Sequence, residues 1–176
     1  SYSAVRSIFS REERFKQTQE TIKRIKAKIP NCKIVFVECT DFTDIEKGYF
    51  QEQCDYILNL WENKSLHNNI FGISKSLGEG TMTIKALEYI FEEKIEFDCL
   101  YKICGRYSFN DRFNYSVFNN TKNILKKING DINNIFTSFY KVDNKMAKII
   151  LLFLKKNNIL MQKCIGYEVL FGKIGR

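Results

Sequence analysis

Short, largely apolar runs alternate along this chain with longer segments of helical period. Lys33-Ile34-Val35-Phe36-Val37-Glu38 is one such run, Cys54-Asp55-Tyr56-Ile57-Leu58-Asn59-Leu60 a second and Phe97–Cys104 a third. The first, continuous and ending in acid, suits a strand buried on both faces as in a parallel sheet, and the other two are of strand length. Ahead of the first, Ser10-Arg11-Glu12-Glu13 has capping-box form, and Phe15, Ile22, Ile25 and Ile29 recur at helical spacing up to Pro30. Asp44–Gln53 reads as a short helix. Ser76-Leu77-Gly78-Glu79 reads as a second capping box, opening a helix with an apolar face of Met82, Ala86, Leu87 and Ile90 that ends near Lys94. Strand, helix and strand in turn imply right-handed crossovers. The expected fold is α/β: a single domain over residues 1–176 with a mostly parallel sheet and helices on both faces.

Further along, Trp61–Lys75 is rich in Asn, Ser and Gly and is expected to be the longest loop, and Lys122–Gly130 to be solvated Asn/Lys-rich turns. Ile132–Val142 is a strand candidate. A helix is expected over Asn144–Asn157 with Met146, Ile149, Ile150, Phe153 and Leu154 inward, and Ile159–Gly172 is read as helical too. The most apolar stretch, Ile149–Leu154, meets Lys155 and Lys156 at once and falls well short of the roughly 20 apolar residues of a membrane span. No transmembrane segment is expected. The opening Ser1-Tyr2-Ser3, without an initiator Met, leads us to expect that a short N-terminal strand is missing.

Six cysteines without Cys-x-x-Cys spacing, several inside apolar runs, read as reduced structural thiols of a cytoplasmic protein. One histidine, His67, leaves no Cys/His set for zinc. A net charge of +8 is either the solvated surface of a chain rich in Lys, Asn and Ile or a preference for anionic partners, whether nucleic acid, a membrane surface or a phosphate-bearing small molecule. No RNA- or DNA-binding motif is recognisable, so nucleic acid is the least expected of them.

In open α/β sheets ligands gather at the carboxyl ends of strands. Three strand ends qualify: Glu38–Asp41, Asn59–Lys64, and Gly105–Asp111 with its Arg106, Tyr107, Asn110 and Asp111. The segment Gly72–Glu79 joins them by leading into a helix N-terminus. Lys75 there is either a phosphate contact or a solvated lysine, and Glu79 either a cap or a ligand contact. Lys102, inside an apolar strand, needs a carboxylate or phosphate partner. Arg106 offers a rigid fork of donors to an oxyanion, unless it pairs with Asp98 or Asp111. Glu168, an acid within Ile165–Phe171, suits a general base or a partner for Arg106 or Lys102.

Several of these segments are similar to the GT-A (nucleotide-diphospho-sugar) glycosyltransferases, and more narrowly to glycosyltransferase-like proteins of bacteria and large DNA viruses. They are Arg14-Phe15-Lys16-Gln17-Thr18 through Ile29-Pro30-Asn31, Leu77-Gly78-Glu79, and Lys102-Ile103-Cys104-Gly105-Arg106-Tyr107. The resemblance implies a Rossmann-like GT-A fold and a nucleotide sugar as donor. It places the nucleoside at the Ser1–Arg6 region and Glu38, and the diphosphate near Lys75, Gly78 and Glu79. Gly105-Arg106-Tyr107 holds the place of the family's Asp-x-Asp metal signature, and an arginine cannot ligate a cation. Divalent metal is therefore not expected, and Lys102 and Arg106 would neutralise the leaving diphosphate. Tyr167-Glu168 is similar in placement to the family's acidic base motif, which makes Glu168 and Arg106 the implied catalytic pair.

The function expected from the resemblance is metal-independent transfer of a sugar from a nucleotide sugar to a glycan or other hydroxyl acceptor. The alternative is an inactive transferase fold that binds a glycan or a partner.

Overall fold

The computed structural model describes residues 8–174. In chain order the elements are α1 (Arg11–Lys28), β1 (Val35–Glu38), α2 (Asp44–Gln53), β2 (Tyr56–Asn59), α3 (His67–Phe71), α4 (Lys75–Glu92) and β3 (Cys99–Ile103). There follow α5 (Tyr115–Phe118), β4 (Ile124–Ile128), β5 (Asp131–Asp143), α6 (Asn144–Lys156), α7 (Asn158–Gln162) and α8 (Tyr167–Phe171). The class is α/β. Among the described residues no helix is long and apolar enough to cross a membrane.

The single, mostly parallel sheet is corrected to two small sheets among the described residues. β1 and β2 pair in parallel: Ile34 O accepts from Tyr56 N at 3.1 Å and Glu38 O from Leu60 N at 2.8 Å, the same register at both ends. The other sheet runs β3-β5-β4, with β4 antiparallel to β5. Its hairpin turns on Asn129 and Gly130, whose φ values of 49° and 77° fit a two-residue turn matched to the twist of the strands. That turn makes β4 out of a segment expected to be solvated.

The chain gathers into two compact units. The first holds the described residues as far as Phe36, then Phe42–Ile57 and Ile103–Asn120; the second holds Val37–Asp41, Leu58–Lys102 and the chain from Thr121 onward. In the first, Ile22, Ile34 and Phe50 are buried among Phe15, Phe36, Phe42 and Tyr49, with the Phe36 and Phe50 rings stacked at 4.1 Å. α1 starts on its expected capping box, Ser10 Oγ accepting from Glu13 N and Glu13 Oε2 accepting from Ser10 N at 2.7 Å.

α2 has a capping box that sequence reading did not single out. Glu46 accepts from Thr43 N at 2.8 Å and also takes a two-pronged contact from Arg11, whose Nε lies 2.9 Å from Glu46 Oε1. The Arg11 guanidinium, ahead of the Thr43 bonds, lowers the Glu46 carboxyl to about 2. A depressed carboxyl contributes stability that is present above its unfolded value, near 4.5, and is lost as pH falls toward 2. Glu46→Gln should therefore lower stability by about 1–2 kcal/mol at neutral pH, discounted because Arg11 is half exposed, and by almost nothing near pH 2. Denaturant titrations of the two proteins across that range measure the difference.

In the second unit the main core gathers Leu77, Leu87, Tyr140, Val142, Ile150, Leu154, Met161, Leu170 and Phe171. The expected loop Trp61–Lys75 is instead a 3-10 turn at Lys64–Leu66, then α3, then the start of α4. Its order comes from packing: Ile70 is buried with Leu60 and Cys39, and the Trp61, His67 and Phe71 rings pack on one another. The terminal helix is two short ones, α7 and α8, separated by Cys164 at φ 60°. α6 buries Ala147, Ile150 and Leu154, but Ile149, expected inward, is 39% exposed.

Candidate functional site

Five of the expected site residues lie in the first unit, on the turn that follows β3. Tyr107 N donates to Cys104 O at 2.9 Å and closes the turn. α1 then fixes its backbone from one side. The Thr18 hydroxyl lies 3.3 Å from Gly105 O, and the buried Thr21 hydroxyl lies 3.2 Å from Gly105 O and 2.8 Å from Tyr107 O. Each hydroxyl has one proton, so Thr21 serves these carbonyls and Gln17 O by turns, and Tyr107 O is the closest. Gly105 is suited to this approach, since a Cβ there would lie 3.2 Å from Thr18 Oγ1. Arg106, between the two held carbonyls, is exposed and makes no ion pair among the described residues.

Beyond it, Phe109 is buried and stacked on Phe113 at 4.0 Å, which anchors the far side of the turn. Asn110 Oδ1 accepts from Arg112 N at 3.0 Å. Asp111 does not pair with Arg106: its carboxylate lies 3.0 Å from Arg24 Nη1 and 3.6 Å from Lys28 Nζ, both on α1. The donor set here does not fit a divalent cation. An arginine occupies the middle of the turn, and the nearest acid in sequence, Asp111, is held by two cations. Among the described residues no group of three His, Cys, Asp or Glu side chains is placed to hold a metal.

No family model, curated protein or solved structure matches the chain.

In the second unit Lys102 has the carboxylate its position demands. Its ammonium lies 2.9 Å from Glu79 Oε1 on α4, 2.6 Å from Thr137 O on β5, and over the Tyr140 ring at 5.9 Å. Of the two alternatives left open for Glu79, the cap is not formed, since Ser76 is not the N-cap, and the carboxylate is in this ion pair instead. The expected capping box at Ser76 is corrected by two residues. Ser74 is the N-cap, accepting from Leu77 N at 3.1 Å while donating to Met161 O at 2.6 Å. Gly78 thus sits one turn inside α4, and its N–H is already given to Ser74 O. Lys75 is the first residue of α4, exposed and with no ion pair among the described residues.

Glu38 is half-buried and accepts the N–H of its neighbour Cys39 at 2.8 Å. Glu168, in the first turn of α8, is half-buried and makes no ion pair among the described residues, so the expected pairings with Lys102 and Arg106 are not formed. Arg6 lies outside the described residues.

A cavity of about 320 Å³ in the first unit is lined by Lys26, Ile29, Asn31, Cys32, Glu52, Gln53, Cys54 and Asp55, none of them an expected site residue. Burial pushes the Cys54 thiol up to about 11, so it is not a thiolate at neutral pH.

Thr18 and Thr21 are the residues that sequence reading missed. The only trace of them is polar spacing of three on the α1 face that also carries Ile22 and Ile25.

Proposed function

We propose that this chain is a glycosyltransferase-like protein that holds a nucleotide sugar by its diphosphate at the Gly105–Asp111 turn, for transfer to the hydroxyl of a glycan or other acceptor. The observation that carries this reading is the fixed turn: two α1 threonines and a buried Phe109 hold the backbone, while Arg106 between the held carbonyls keeps its donors for a ligand. A guanidinium matches two phosphate oxygens at once, and a preset backbone lowers the ordering cost of binding. The same charge stabilises the diphosphate as it leaves, which is where negative charge develops in sugar transfer. Calorimetric titration with UDP- and GDP-sugars tests the reading: saturable binding of one donor is expected, and the absence of binding to both contradicts it.

A binding module of the same fold, without turnover, is the second reading. It draws on Lys102 and Glu79, two residues expected at the donor, which instead satisfy each other. Donor consumption in the presence of candidate acceptors separates the two. The transferase reading expects turnover that Arg106→Ala lowers by about 100-fold. The module reading expects none in either protein.

A further inference from the structure

From Asn144 to Tyr167 the chain holds five lysines and no Asp or Glu. In α6, Lys145, Ile149, Leu152 and Lys156 follow one another at steps of four, three and four, which places them on one stripe of the helix. All four are exposed, with Leu152 at 67% and Ile149 at 39%. The opposite face is fully committed to the core through Ala147, Ile150 and Leu154. α6 is therefore held in place by one side and presents aliphatic carbon between lysines on the other. Next to the stripe Lys155 pairs with Glu88, which it shares with Lys85, whereas Lys145 and Lys156 make no ion pair among the described residues. Ile159, early in α7, leaves a further aliphatic side chain 61% exposed.

We infer that this stripe of α6 docks reversibly on the surface of a membrane carrying anionic lipid. Leu152 and Ile149 enter the boundary between headgroups and acyl chains, and Lys145 and Lys156 sit at headgroup depth, their stems along the apolar layer and their ammonium groups on lipid phosphates and carboxylates. Charge complementarity selects this occupant over the two others. A second copy related by two-fold symmetry would set lysine stripe against lysine stripe, at a cost in repulsion. A nucleic acid backbone would take the lysines but leave Leu152 and Ile149 exposed to water, and the stripe has no aromatic ring to stack on bases. The inference is independent of the nucleotide-sugar reading.

Co-sedimentation of the full chain with vesicles tests it, using phosphatidylcholine alone and phosphatidylcholine doped with phosphatidylserine. Binding is expected to the doped vesicles only and to weaken with salt. Leu152→Gln keeps a good helix former at an exposed position and should lower partitioning by about tenfold. The double variant Lys145→Gln/Lys156→Gln should lower it by about 30-fold. Far-UV circular dichroism of both variants should match the parent. The inference is overturned by failure to sediment with the doped vesicles, by equal binding to neutral ones, or by a Leu152→Gln protein that binds like the parent. It is overturned equally if the parent self-associates and Leu152→Gln abolishes that association, or if Lys145 and Lys156 govern RNA binding in a gel shift while leaving vesicle binding unchanged.

Discussion

Gly172→Ala is expected to destabilise the second unit by about 3 kcal/mol or more, a large part of the roughly 5–15 kcal/mol that holds a typical domain folded. Gly172 caps α8 and is buried where that helix meets β5. An added Cβ would lie 2.3 Å from Asn133 O and 2.4 Å from Asn133 C, and both are backbone atoms of a strand that is paired in the sheet. Neither can swing aside as a side-chain end could, so helix and strand must separate and the contacts of Leu170 and Phe171 loosen with them. Gly48→Ala is the matched control. Nothing lies within 4 Å of a Cβ at that position inside α2, so the helix should gain about 0.5–1 kcal/mol. Urea unfolding midpoints that move in opposite directions for the two variants confirm the account.

Lys102→Met is the second large effect, about 3 kcal/mol of lost stability. The change leaves the Glu79 carboxylate without its cation and takes the ammonium donor from the carbonyl of the buried Thr137. The double variant Lys102→Met/Glu79→Gln should recover part of the loss, because no charge is then stranded, while the Thr137 carbonyl still lacks the ammonium. A double-mutant cycle by chemical denaturation reads the coupling. Simple additivity of the two single changes would show that Lys102 and Glu79 do not act as a pair.

How far the sequence speaks depends on how local each cause is. α1 was legible because Ser10 and Glu13 cap it within one turn. α4 starts two residues earlier than its sequence suggests, because Ser76 has Glu79 three residues on, as a capping box requires, while Ser74 has only Leu77. What decides between them is the bond from Ser74 to Met161 O, 87 residues away. β4 was missed although Asn129-Gly130 is a strong hairpin signal, since Lys126 and Lys127 gave the flank the look of a solvated turn. Ile149 is exposed although its surroundings suggest burial, because Ile149–Leu154 is apolar throughout and an unbroken run carries no period from which to choose a face. At the candidate site the sequence marked Gly105 and Arg106 and gave Lys102 its need for a partner. It could not name Glu79 as that partner, nor bring Thr18 and Thr21 to the turn, because those bonds join residues 23 to 87 positions apart.

The affinity of the Arg106 variants for whichever nucleotide sugar binds the parent decides whether Arg106 on its fixed turn binds diphosphate. Arg106→Lys, which keeps the charge but loses the planar fork, should weaken binding by about tenfold, and Arg106→Ala by about 100-fold. Neither should alter the unfolding midpoint, because the side chain is exposed and makes no ion pair among the described residues. Affinity unchanged in both variants would contradict diphosphate binding by Arg106.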